Sequence, residues 1–196
     1  FSYQGVNPMA AVFELWLPIL LSAVAVFVVS SIMHMLVPLH AGDHAQLPAE
    51  SEVLEAMRKH KVQPGSYRFP YCTSMKDMGS DEMLQKYQSG PVGHMTLFPS
   101  GTPTMGKNLL QWFLFSISVS FFAAYVATVT LGAEEPYLRV FQLVGTVSFL
   151  AYGWGEITAS IWKGQSWVVT SKFLFDGLLY ALVTAGVFGA MWHHAA

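Results

Sequence analysis

Charge is scarce in this chain. Lys, Arg, Asp and Glu make up 11% of its 196 residues, against about 25% in an ordinary globular domain. The shortage is concentrated: residues 15–37 and 109–131 carry no charged side chain, 140–162 carry only Glu156, and 167–192 carry only Lys172 and Asp176. A helix needs ~20 apolar residues to cross the ~30 Å hydrocarbon core, so each of these blocks is long enough to span. Cysteine is scarcer still. The single Cys72 excludes an intramolecular disulfide, and it excludes Cys-cluster zinc or iron–sulfur ligation by this chain alone. Basic residues are not in excess, with ten Lys and Arg against twelve Asp and Glu, so the electrostatic footprint of a nucleic-acid binder is missing. A Gly-rich phosphate loop, a nucleophile elbow and a paired-His zinc helix are also missing. The sequence reads as a protein that is not an enzyme.

What is present is 53% apolar residue, and the pattern predicts an all-α integral membrane protein with four transmembrane helices. The expected order is a short outer tail (1–14), helix 1 (15–37), an extramembrane loop (38–107), helix 2 (108–132), helix 3 (138–162) and helix 4 (167–193). The chain begins at Phe1, as a processed chain or a fragment would. Residues 1–13 hold no charge, unlike the positive start of a secretory signal, so the first apolar stretch reads as a retained helix.

The roughly 70-residue loop holds seven of the ten basic and seven of the twelve acidic residues. Within it, Pro48–Lys61 has acids early and bases late, which suits the helix macrodipole. Ser80 is an expected N-cap for a short helix over Asp81–Gln88. Tyr67, Phe69 and Tyr71, and later Val92–Phe98, alternate as short strands do. Lys107, Lys163 and Lys172 flank one side of the spans against Arg139 on the other. The positive-inside tendency then places the loop in the cytoplasm and both termini outside. Five tryptophans, Trp16, Trp112, Trp162, Trp167 and Trp192, fall near predicted ends, as interfacial rings prefer.

Helices in lipid associate through close backbone approach along small residues. Expected helix 4 offers Gly177, Ala181, Ala185 and Gly189 at strict i+4 spacing. Helix 3 offers Ala151, Gly155 and Ala159, and helix 2 offers Ser116, Ser120, Ala124 and Thr128. Such rows hold a compact bundle together, or they face the helix of another integral membrane subunit. Both readings stay open.

Three ionisable residues fall inside spans. Lys172 and Asp176 are one turn apart, and an antiparallel hairpin would bring Glu156 to a similar depth. A cluster of Glu156, Lys172 and Asp176 is the expectation, serving either as an ionic lock for the hairpin or as a proton or cation site. Beyond Asp176, helix 4 offers no further ionisable group, so a relay across the membrane is not visible.

Imidazole, carboxylate and thiolate suit transition metals. The candidates are His34, His40 and His44 with Asp43 around Pro38, and Cys72 with Met75, Met78, His94 and Met95. Because the histidine spacing crosses Pro38 and Gly42, no single helical face presents them, and solvated interfacial histidines are the alternative. A bis-histidine haem would need partners at matching depth, and His193 and His194 end helix 4 opposite His34. No cofactor is predicted from the chain itself, and bound lipid or pigment stays open.

The stretches FPYCTSMKDM (Phe69–Met78), GPVGHMTLFPSG (Gly90–Gly101) and FDGLLYALVTAGVFG (Phe175–Gly189) resemble a family of small four-span bacterial membrane proteins of unassigned activity. The resemblance implies a bacterial plasma membrane and carries over no residue roles. The leading expectation is therefore a non-catalytic accessory or structural subunit of a larger membrane complex, such as one of electron transfer or photosynthesis. A small proton- or ion-coupled transporter using Glu156 and Asp176 is the first alternative. A membrane metal-handling protein is the second.

Overall fold

The structure, a computed structural model, describes residues 8–102 and 104–195, with Pro8 and residues 193–195 described by backbone alone. It is mostly helical. In chain order the elements are α1 (Pro8–Glu14), α2 (Trp16–Met35), α3 (Glu50–Lys59), β1 (Gly65–Phe69), α4 (Asp81–Ser89), β2 (Gly93–Leu97), α5 (Met105–Thr130), α6 (Tyr137–Tyr152), α7 (Ile157–Lys163) and α8 (Trp167–Ala195). Turns of 3-10 helix cover Pro38–His40, Asp77–Gly79 and Trp154–Glu156. Three helices, α2, α5 and Trp167–Trp192 of α8, are long and apolar enough to cross a membrane.

The expected third span, 138–162, is not one continuous helix. At ~1.5 Å per residue, the 16 residues of α6 reach about 24 Å, short of the hydrocarbon thickness. The helix stops at Gly153, whose φ of −123° and ψ of −48° leave the helical region. Two glycines flank Trp154 there, and each costs up to ~1 kcal/mol in a helix interior. The backbone continues as a 3-10 turn and then α7.

The chain divides into two compact units. The first comprises residues 1–43, 104–157 and 166–196. In it α2 packs on α5 and α8, and α6 packs on α5 and α8, which closes a four-helix ring, with α1 against α5. One end of this bundle is filled by an apolar cluster that includes Val12, Leu15, Leu131, Val140, Phe188 and Trp192. The expected tail 1–14 thus contains a helix, with Val12 in that cluster, while residues 1–7 lie outside the described residues. Trp192 is a core residue rather than an interfacial one. It is 1% exposed, and its indole N–H donates to the Gly132 carbonyl at 2.9 Å.

The small-residue row of α8 turns inward. Gly177, Ala181, Ala185 and Gly189 are all buried, and a Cβ built on Gly177 would stand 2.5 Å from the Gly153 Cα. Ser116, Ser120 and Ala124 of α5 are buried as well. Along the expected third row the outcome differs: Ala151 and Gly155 are exposed and Ala159 is half-buried.

The second unit comprises residues 44–103 and 158–165. Its sheet is one antiparallel hairpin that pairs Gly65 with Leu97 and Phe69 with Gly93. The two expected helices form, and Ser80 caps α4 by accepting from the Met83 amide at 3.3 Å.

Candidate cation site at the end of the helix bundle

α2 ends because of a proline. Pro38 disfavours the helical region for the residue before it, and Val37 is extended, with φ −92° and ψ 122°. The 3-10 turn Pro38–His40 then folds the chain back, and the His40 ring stacks on His34 from the last turn of α2, with centroids 4.7 Å apart and planes 10° from parallel. The proline that separates these histidines in sequence is what brings them together in space.

α8 supplies the opposite wall. Asp176 Oδ2 lies 2.8 Å from His40 Nε2 and 3.8 Å from His34 Nε2. Asp43, three residues after His40, places Oδ2 on His40 Nδ1 at 2.5 Å, and Lys172 donates to Asp43 Oδ1 at 2.5 Å. Phe173 lies against His40, with centroids 5.0 Å apart. His34 Nδ1 faces the Ser30 carbonyl at 3.1 Å. A carbonyl can only accept, so this nitrogen carries a hydrogen, and Nε2 is the ring atom turned toward Asp176.

The centre is closely balanced in charge. Between two carboxylates, both His40 nitrogens donate, so the ring is an imidazolium. Burial works against that charge on His40, but the hydrogen bonds to Asp43 and Asp176 outweigh it, and the pKa rises above its ordinary value. The hydrogen bond from Lys172, followed by that from His40, holds the Asp43 carboxyl below its usual value. Two positive and two negative groups therefore meet where a lone buried charge would be very costly.

Asp176 is the exceptional member. It is 2% exposed, and its buried Oδ1 has no hydrogen-bond partner among the described residues. A buried, unsatisfied polar atom is rare in native proteins and calls for an explanation such as a water or an ion. One turn further on, the Tyr180 hydroxyl is also buried without a partner among the described residues, and its ring packs on Trp112 and Tyr152. Trp112 donates its indole N–H to Ser30 Oγ at 2.9 Å, and Ser22 bonds Ser120 across α2 and α5 at 2.9 Å. Hydroxyls thus line the middle of the bundle before the apolar cluster closes it.

This arrangement differs from the expected triad. Lys172 pairs with Asp43, Asp176 pairs with His40, and Glu156 forms no ion pair among the described residues. Glu156 sits in the 3-10 turn that interrupts the third expected span, so it is not presented at the depth a continuous helix would give. The metal candidates also separate. His34 and His40 converge, whereas His44 and Cys72 belong to the other unit, and the Cys72 thiol donates to the Ser74 carbonyl at 2.8 Å. Among the described residues, His34, His40 and Asp176 are the one group of three His, Cys, Asp or Glu placed to hold a metal ion. The side chains of His193 and His194 lie outside the described set. Sequence reasoning missed the Asp176–histidine pairing, which joins residues 136 positions apart. The available signal was complementary charge, His and Asp after α2 against Lys and Asp early in α8. No family model, curated protein or solved structure matches the chain.

Proposed function

We propose that this chain is a non-catalytic protein of the bacterial plasma membrane that holds a cation at the His34, His40 and Asp176 centre. The observation that carries the reading is the buried Asp176 carboxylate, with one oxygen unpartnered, beside two imidazoles. In this reading Tyr137–Lys163 completes a fourth, interrupted crossing. The polar segment 38–107 lies in the cytoplasm by the positive-inside tendency, and the centre opens to that face. Holding is favoured over conduction. Asp176 is the one buried charged residue among those described, and the far end of the bundle is filled with apolar side chains.

The test is thermal unfolding of the purified full chain in mild detergent against Na⁺, K⁺, Mg²⁺, Ca²⁺, Mn²⁺ and Zn²⁺. A cation that binds only the folded state at 100 times its Kd stabilises by about 2.7 kcal/mol, which corresponds to a Tm rise of about 5–10 °C for a chain of this size. The rise should vanish in Asp176→Asn. A panel without any Tm shift would refute the reading.

A second reading, an accessory subunit of a larger membrane complex, is favoured by the exposed small residues Ala151 and Gly155, which offer close approach to a neighbouring helix. Native mass of the same preparation from its own membrane tests it. A fixed-stoichiometry partner supports this reading, and recovery of the chain alone removes it.

A further inference from the structure

The chemistry of the donor atoms narrows the cation. We infer that the centre is a site for one divalent transition-metal ion of the iron-to-zinc series, ligated by His34 Nε2, His40 Nε2 and an Asp176 carboxylate oxygen, with Asp43 as the residue that positions His40. This inference rests on the cation-holding reading and specifies which ions satisfy it.

The first argument is the donor set. Hard ions such as Mg²⁺ and Ca²⁺ take oxygen ligands almost throughout, and here two of the three converging donors are imidazole nitrogens. Soft ions such as Cu(I) seek thiolate or thioether, and Cys72 belongs to the other unit. Two imidazoles and one carboxylate suit Fe²⁺, Co²⁺, Ni²⁺, Cu²⁺ or Zn²⁺.

Distance supplies the second argument. Ligands held at 2.0–2.2 Å from an ion stand about 3–3.6 Å from one another in octahedral or tetrahedral arrangements. The three donor atoms all lie within 4.8 Å of one another, with His40 Nε2 at 2.8 Å and His34 Nε2 at 3.8 Å from Asp176 Oδ2. A pair at the 4.8 Å limit would close by about 1 Å to seat an ion among them. Asp176 has a second, buried oxygen without a partner, so it can turn to coordinate without breaking a bond made by that oxygen.

The surroundings have the form of an outer shell. Metal-ligating histidines commonly give their other ring N–H to a carboxylate or a carbonyl. His40 Nδ1 meets Asp43 and His34 Nδ1 meets the Ser30 carbonyl, which turns both Nε2 atoms toward Asp176. Lys172 anchors the far oxygen of Asp43. On binding, the ion replaces the hydrogen on His40 Nε2 and one proton leaves to solvent. His34, 46% exposed at its side chain, gives the route in and out. Three protein ligands leave at least one coordination position for water.

Chelator-treated full-length protein in detergent would be titrated with Co²⁺, followed by its visible d–d absorption, with Zn²⁺ as competitor and Mg²⁺ and Ca²⁺ as controls. The expected result is one Co²⁺ per chain, with an absorption pattern unlike the aqueous ion, displaced by Zn²⁺ and not by Mg²⁺ or Ca²⁺. His34→Ala, at a half-exposed position, should keep the thermal transition and change the spectrum. Asp43→Asn should keep stoichiometry and spectrum while weakening binding about 10–100-fold, as loss of an outer-shell carboxylate does. An aqueous-type Co²⁺ spectrum, or an identical spectrum and affinity in folded His34→Ala, would overturn the inference. If Mg²⁺, Ca²⁺ or Na⁺ raises the Tm in an Asp176-dependent way while Co²⁺ gives no bound spectrum, the cation-holding reading stands and the transition-metal inference falls.

Discussion

Gly177 and Gly153 approach so closely that a single methyl group decides whether α6 can meet α8. A Cβ on Gly177 would fall 2.5 Å from the Gly153 Cα and 2.7 Å from its nitrogen, all of it backbone that no rotamer change can move. Gly177→Ala is therefore expected to destabilise by about 1–3 kcal/mol or more, the range of core overpacking. Gly186 is the control. The nearest atom to a Cβ there is the Tyr137 hydroxyl at 3.9 Å, so Gly186→Ala should be neutral or gain up to ~1 kcal/mol of helix propensity. Thermal unfolding of both variants in one detergent checks the contrast, and equal effects would mean that the close approach carries no energy. The effect should reach the candidate site, because Asp176 is the residue next to Gly177 and shares its turn of helix.

At the scale of elements, the polar unit is held by local devices. Ser80 caps α4, and the preceding turn is organised by Asp77, whose carboxylate accepts from Thr73 at 3.0 Å and Ser74 at 2.7 Å. The hydrogen bond from Ser74, then that from Thr73, pulls the Asp77 pKa below its usual 3.8. A carboxyl depressed by folding stabilises above its unfolded pKa, and the contribution is lost as pH falls through the folded value. Acidification below the unfolded carboxyl value of 3.8 should therefore loosen the Thr73–Ser80 turn and expose the Met83 amide, and Asp77→Asn should remove that dependence. Amide exchange at Met83 reads both. These elements were legible because caps, alternation and turn residues act over a few positions: α3, α4 and both strands form close to their expected limits. The third expected span was not legible in the same way. Its apolar run is continuous, and the interruption at Gly153 coincides with the tertiary contact between Gly153 and Gly177.

For the molecule as a whole, the lone cysteine is a ready topological reporter. Cys72 is in the polar unit, half-buried and in no disulfide. The proposed cytoplasmic placement of that unit predicts that a membrane-impermeant maleimide labels Cys72 in inverted membrane vesicles and leaves intact spheroplasts unlabelled. The reverse pattern would place the centre's opening on the outer face. The two ends of the bundle also differ in kind. One brings together charge, imidazole and hydroxyls, and the other is an apolar plug closed by Phe188 and Trp192, a polarity that suits access from one side.

Composition and periodicity alone determined that the chain is mostly helical, that its apolar helices are long enough to cross a membrane, and where the polar segment lies. Those properties follow from transfer free energy and local propensity, which each stretch of sequence carries by itself. They also exposed His34, His40, Lys172 and Asp176 as residues to explain. Only the tertiary structure decided how these pair. Lys172 chose Asp43 over Glu156, Asp176 met two histidines from beyond Pro38, and the row Gly177, Ala181, Ala185 and Gly189 turned toward α6 rather than outward. Such pairings depend on the direction in which the chain leaves Pro38 and on the rotation of α8 about its own axis. The first follows from the turn Pro38–His40, and the second from the close backbone contact of Gly177 with Gly153, which lie in different helical segments.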